Sequence, residues 1–527
     1  MKINKTILLV IALVGTFSAY AQDYDVVLKG GRVMDPETSL DAVMNVGIKG
    51  GKIAAVTTDE ISGKEIIDVT GLVVSPGFID THQHSLDIAD GRLAAQDGTT
   101  THMELEFGRS PVAEAYDHVA KRGGHPINYG FASSWAMNRA NVMTGFKGEA
   151  TWDGFVEALA PAKWGATVSN SEQEKQILAL VQKDLDDGAI AIGYPPAYGS
   201  GAGVKEAINL WKKAAVNNVP VSVHVRYQSM IDPNSSVQAM NEMLGMAASS
   251  GAHAILCHIQ LLGLSDPYMM LDVIDAGRKA GLRLTTEVYP FGVTAPPVSA
   301  DYLQWENSDE RIGFEWSDVR TEEKPHYTFK DKEDFHKYQK EHPAAFVQME
   351  YIDESTPQGL AAMRAAVTFP NTIPAADGTP IAWEGKPKGA DKLGLGSGVD
   401  VWPLPKDAGG QPRTTSTHAI ILGKWVREQG ALTLMQAIAN SSYIPAKELG
   451  DHIPQFNTKG RLQVGMDADI TVFDPETVKA NATWDDVAAL NDGFYHTLVN
   501  GVFILKDGKI DTEALPGQQI RRTPKGQ

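Results

Sequence analysis

At 527 residues, with 43% apolar and 21% charged residues, the chain is too long for one simple core and too apolar to be disordered. Its formal net charge of −18 argues against nucleic acid and anionic membrane as partners. A single cysteine, Cys257, excludes an internal disulfide, so the core, a bound metal or a homo-oligomer has to stabilise the fold.

Lys2 and Lys5 precede the apolar run from Ile7 to Val14, and Ala19-Tyr20-Ala21 follows it. This is the pattern of a signal peptide over residues 1–21, which implies a periplasmic or secreted protein. The run is shorter than the roughly 20 residues that a membrane span needs.

Residues 22–78 contain short β-rich runs separated by glycine turns, such as Tyr24-Asp25-Val26-Val27-Leu28 and Val46-Gly47-Ile48. The same grammar returns within 446–527, in Asp469-Ile470-Thr471-Val472-Phe473 and Leu498-Val499-Asn500-Gly501-Val502. Two such segments at opposite ends suggest one composite β domain closed around the central residues 79–445. There, strand-like runs (189–192, 219–225, 254–259, 284–289) alternate with helical stretches at 171–185, 204–216, 236–249 and 268–280. Repeated β-then-α units favour a parallel sheet, as an open doubly wound sheet or as a (β/α)8 barrel. Residues 301–360, rich in charges and aromatics, read as an insertion or lid over one end of it.

The strongest local signal is Pro76-Gly77-Phe78-Ile79-Asp80-Thr81-His82-Gln83-His84. Alternate residues of a strand share a face, so His82 and His84 can reach one metal. The next strand, Thr99 to Glu106, places His102, Glu104 and Glu106 together, a costly burial unless they are paired or metal-bound. A carboxylate at its end, Glu106, can bridge two cations, whereas His102 and Glu104 read as structural hydrogen-bonding groups. Two later strands each deliver a histidine: His224, on a face with Ser222 and Arg226, and His258, on a face with Gln260. By the same alternation Cys257 points away and packs. The candidate metal ligands are therefore His82, His84, Glu106, His224 and His258. Nitrogen ligands with a carboxylate suit Zn2+, with Mn2+, Fe2+ and Co2+ as alternatives, and either one ion or two.

These residues resemble the amidohydrolase superfamily, and within it the N-acyl-D-amino-acid deacylase (D-aminoacylase) branch. The resemblance runs through PGFIDTHQH, DGTTTHMELEFG, HVRY, CHIQ, TTEVYPF, WPLP and GRLQVGMDADITVFD. It implies a (β/α)8 barrel with a small β-sandwich built from both chain ends, and hydrolysis of the amide bond in a small N-acylated amino acid. A cyclic-amide hydrolase or deaminase of the superfamily is the alternative. Glu106 stands where D-aminoacylases carry a bridging cysteine. Arg226, Tyr289 and Arg413 are the implied partners of the substrate carboxylate, and Gln260 stands where the branch usually has lysine. The branch also carries a catalytic aspartate in a Ser-Asp-x-x-Pro motif. Its expected counterpart here is Asn371, in Pro370-Asn371-Thr372-Ile373-Pro374, with Asp400 as the compensating acid. Asparagine moves no proton, so a metal-containing binding protein that has lost catalysis is the reading from another class.

Overall fold

A computed structural model describes residues 24–160, 163–264 and 267–524. The expected signal peptide lies outside these residues. No helix among them is long and apolar enough to cross a membrane.

The first five strands are β1 (Tyr24–Asp35), β2 (Leu40–Lys49), β3 (Lys52–Thr57), β4 (Gly63–Asp68) and β5 (Val73–Pro76). Seven strands follow in the central region: β6 (Phe78–Asp80), β7 (Thr99–Arg109), β8 (Asn128–Ser134), β9 (Ile192–Tyr194), β10 (Val221–Val223), β11 (Ala254–Leu256) and β12 (Leu284–Val288). A separate small sheet of β13 (Val293–Thr294), β14 (Val319–Thr321) and β15 (Val347–Glu350) precedes β16 (Thr372–Pro374). The chain closes with β17 (Ile470–Phe473), β18 (Phe494–Val499), β19 (Val502–Lys506) and β20 (Lys509–Ile510).

Strands β6 to β12 and β16 form one parallel sheet in the order β16-β12-β11-β10-β9-β8-β7-β6. Its open edge is stitched just beyond the strand ends. Asp377 N–H donates to the His82 carbonyl (2.6 Å), and His84 N–H to the Gly378 carbonyl (2.9 Å). The result is a nearly closed eight-stranded barrel. Helices cover it where the sequence periodicity places them: Ser171–Asp186, Val204–Val216, Ser236–Ser250 and Tyr268–Lys279. The first starts in a capping box between Asn170 and Gln173, and Gly251, at φ 74°, ends the third.

The chain-end sheet runs β20-β19-β18-β17-β5-β1-β2-β3, and the antiparallel pair β5–β17 sews the two termini together, with Val74 opposite Val472. Its core packs Val26, Leu28, Val33, Val46 and Ile48 against Ile470, Val472 and Leu498. A buried ion pair anchors this sheet to the barrel floor. Lys459 Nζ lies 2.7 Å from Asp469 Oδ2, which also accepts from Asn128 at the start of β8 (3.0 Å). Removing one member of a buried pair leaves an uncompensated charge. Lys459→Met is therefore expected to cost about 3–5 kcal/mol, seen as a lower urea midpoint of unfolding.

Candidate metal and active site

The histidines lie past the ends of the parallel strands, whereas Glu106 is still within β7. β6 ends at Asp80, β10 at Val223 and β11 at Leu256, so His82, His84, His224 and His258 all sit in the turns beyond strand ends. That rim is where a parallel barrel builds its active site. All four imidazoles and Glu106 are buried.

Glu106 lies at the middle of the cluster. Its Oε2 is 2.8 Å from His82 Nε2 and 3.4 Å from His84 Nε2. Its Oε1 is 2.6 Å from His224 Nδ1 and 3.9 Å from His258 Nε2. The two latter rings bring nitrogens within 3.1 Å of each other. Two groups able to hold a metal ion thus share one carboxylate: His82, His84, Glu106 and Asp377, and Glu106, His224 and His258.

Asp377 is the member that sequence reasoning missed. Its Oδ1 is 3.1 Å from His84 Nε2, and its Oδ2 is 3.1 Å from Arg413 Nη1. Burial pushes its carboxyl up, but the Arg413 charge, with His82 and the His84 hydrogen bond, outweighs that and holds it below the ordinary carboxylate range. The structure does not bring Asn371 to this place. Asn371 is an exposed residue in a left-handed turn (φ 56°) just before β16, a conformation asparagine tolerates. The signal for Asp377 was present six residues on: Asp377-Gly378-Thr379-Pro380 has the same spacing to a proline, with an acid in place. Asp400 is also elsewhere, on a loop where its carboxylate accepts from the Gly396 (2.8 Å) and Gly398 (3.3 Å) N–H groups.

Both histidines of the His-x-His pair are steered from behind. His84 Nδ1 meets both oxygens of Glu104 at 3.1 Å, and Arg109 donates to the same carboxylate (2.8 Å). His82 Nδ1 lies 3.1 Å from Glu287 Oε2, and the Thr81 hydroxyl donates to Oε1 of that residue. Each carboxylate holds the Nδ1 proton and leaves Nε2 free to act as a ligand. Glu104→Gln is therefore expected to weaken metal binding about 10- to 100-fold, measured by competition with a chromophoric chelator. His102 instead lies against His125, ring centroids 6.3 Å apart. Cys257 does not point away. Its sulfur lies within 4.8 Å of ligand atoms of His82 and Glu287, because β11 ends at Leu256 and His258 takes φ 31°, which breaks the alternation.

The expected substrate-binding residues divide. Arg413 lies over the Tyr289 ring (4.1 Å to the centroid), and the Tyr351 hydroxyl donates to that of Tyr289 (3.3 Å). Gln260 is fully buried within reach of Tyr351, and neither its Oε1 nor its Nε2 has a well-formed hydrogen bond. Arg226, in contrast, turns to Glu242 (3.1 Å), the Ser200 carbonyl (3.0 Å) and the Tyr194 hydroxyl (3.3 Å). Tyr198 and Gln228, which no motif signalled, touch His224: the Tyr198 hydroxyl lies 3.3 Å from Nδ1, and the Gln228 amide faces Nε2.

Comparison with known proteins agrees with this geometry. The model of the amidohydrolase family matches residues 65–505. The chain belongs to the amidohydrolase family. This amidohydrolase is 25% identical to the N-acyl-D-glutamate deacylase of Alcaligenes xylosoxydans xylosoxydans, over 94% of its own length and 96% of the relative's. It is 23% identical to the D-aminoacylase of the same organism, over 95% and 98% of the two chains. Among solved structures, the Bordetella bronchiseptica N-acyl-D-glutamate deacylase, complexed with zinc and a phosphonate inhibitor, superposes with a TM-score of 0.72. It has 20% identity, and 95% of this chain and all 100% of that one are covered. The amidohydrolase falls in the D-aminoacylase branch and is a hydrolase of C–N amide bonds.

Proposed function

We propose that this amidohydrolase uses one or two divalent metal ions, zinc foremost, to hydrolyse small N-acyl-D-amino acids. The observation that carries the reading is the convergence of four imidazoles and Asp377 on the two oxygens of Glu106. The donor set fits such an ion. Imidazole nitrogens with two carboxylates suit zinc and its neighbours, and His224 and His258 bring ring nitrogens within 3.1 Å of each other beside Glu106, near enough for one ion to take both. His82, His84, Glu106 and Asp377 would hold one ion, and Glu106, His224 and His258 the other. When bound, such an ion supplies Lewis acidity toward the amide carbonyl and lowers the pKa of a water toward about 7.

The remaining work falls to the chain's own groups. Asp377 accepts a proton from the attacking water and returns it to the amide nitrogen, so the amine leaves neutral as the C–N bond breaks. Arg413 tethers Asp377 through Nη1 and, with Tyr289, offers a cationic edge for the substrate carboxylate. The Tyr198 hydroxyl is placed to donate to the carbonyl oxygen as it gains charge. An acid at this position removes the main support for a binding protein without catalysis. Export with loss of residues 1–21 belongs to the same reading, and N-terminal sequencing of the secreted protein checks it.

A panel of N-acyl-D-amino acids, N-acyl-L-amino acids and cyclic amides, with the hydrolysis products followed by mass spectrometry, tests the substrate class. Turnover of D-substrates is expected. Turnover of cyclic amides alone, or of none of the panel by metal-loaded protein, would overturn the reading.

A further inference from the structure

We propose that Gln228 is a positioning residue that serves both ring forms of His224, so that this histidine changes tautomer when its ion arrives, whereas His82 and His84 are set in advance. The inference rests on the reading of the Glu106 cluster as a metal centre and not on the choice of substrate.

The argument starts from which ring nitrogen faces the cluster. His82 and His84 turn Nε2 toward Glu106 and Asp377, and their Nδ1 atoms lie 3.1 Å from Glu287 and Glu104. A carboxylate accepts and does not donate, so each of these rings keeps a proton on Nδ1 whether or not a metal is bound. His224 is turned the other way. Its Nδ1 faces Glu106 Oε1 at 2.6 Å, and its Nε2 meets the side-chain amide of Gln228.

An amide differs from a carboxylate in offering both a donor and an acceptor. Gln228 is fully buried, and its Nε2 faces the ring. Among the described residues its Oε1 has no hydrogen-bond partner. This arrangement suits the metal-free ring: Nδ1–H donates to the Glu106 carboxylate, and the bare Nε2 accepts from the Gln228 amide. A ring that ligates through Nδ1 needs the reverse, a bare Nδ1 and a proton on Nε2. Turning the amide over brings Oε1 to the ring as the acceptor for that proton. Nδ1 loses one proton to water and Nε2 gains one from it, so the ring stays neutral and no net proton is released.

The backbone on either side of Gln228 is tied down. Tyr227 takes a left-handed φ of 60°, which turns the chain after β10 back toward His224. Arg226 is fixed on Glu242 (3.1 Å). Ser229 N–H donates to the Ser236 hydroxyl (3.1 Å), and the Ser229 hydroxyl accepts from Arg311 of the insertion (3.0 Å). What is left to turn is the terminal amide torsion, which is broad and two-fold in glutamine.

The test measures zinc binding to chelator-stripped full chain by competition, in the wild type, Gln228→Leu and Gln228→Glu, with thermal melts as a folding control. Long-range proton–nitrogen NMR spectra of histidine-labelled protein read the tautomer of His224, assigned by the signal lost in His224→Ala. Wild-type His224 is expected to carry its proton on Nδ1 without zinc and on Nε2 with it. Gln228→Leu accepts nothing, and is expected to bind the ion on the His224 side about 10- to 100-fold more weakly, with the other ion unchanged. Gln228→Glu still accepts the Nε2 proton, and is expected to bind that ion at least as well as the wild type. A His224 that already carries its proton on Nε2 without zinc would overturn the proposal, as would unchanged zinc affinity in Gln228→Leu. Should Gln228→Leu not fold, loss of this ion in Gln228→Glu overturns it equally. Wild-type protein that takes up no zinc would remove the metal reading itself, and this proposal with it.

Discussion

Asp377→Asn is expected to lower kcat by about 10²- to 10⁴-fold, the usual worth of a positioned proton-transfer group. Asn371→Gly and Asp400→Asn are expected to leave kcat unchanged. The contrast follows from position. Asp377 touches His84 on one oxygen and Arg413 on the other. Asn371 is exposed in a turn, and Asp400 caps the Gly396–Gly398 loop. Asparagine at 377 keeps the shape and an oxygen donor but carries no proton, so the loss falls on kcat rather than on folding. Steady-state kinetics of the three variants, with thermal melts as a folding control, decides the matter. Full activity in Asp377→Asn would remove it from the reaction.

Glu106→Gln is expected to lose more than about 100-fold in metal affinity, a larger effect than the loss of a supporting carboxylate such as Glu104. Glu106 is the one residue that both ligand groups share: Oε2 faces His82 and His84, and Oε1 faces His224 and His258. Its amide removes the negative charge from both at once, whereas His224→Ala reaches only one group. Elemental analysis of dialysed protein distinguishes the two. Glu106→Gln should retain almost no metal, and His224→Ala should retain the ion on the His82 side. Undiminished metal in Glu106→Gln would show that the two groups do not depend on it.

Much of this architecture was legible before the fold was seen. Helix periodicity at 171–185 and 204–216 matches helices at Ser171–Asp186 and Val204–Val216. The paired β-rich ends came from Gly-punctuated runs whose partners are joined by the β5–β17 pair. What strand alternation could not supply was the geometry past the strand ends. His82, His224 and His258 all lie in turns, so the face a residue takes there is set by local φ and ψ rather than by a period of two. Cys257, turned toward His82, shows the cost of extending the rule one residue too far. Asp377 was hidden for a related reason. Two segments six residues apart share the spacing to a proline, and only the chain path distinguishes them. Asn371 precedes β16 in a left-handed turn, while Asp377 follows it, where the barrel closes through the His82 carbonyl. Pairings such as Arg226 with Glu242 join residues on different elements and leave no trace in a local motif.

The central claim is that the cluster around Glu106 holds a divalent ion on which amide hydrolysis depends. Turnover of an N-acyl-D-amino acid by protein stripped with chelator, and again after stepwise return of zinc, tests it most directly. The account predicts that stripped protein is inactive and that activity returns with the binding of one or two ions per chain. Undiminished turnover by metal-free protein would contradict it.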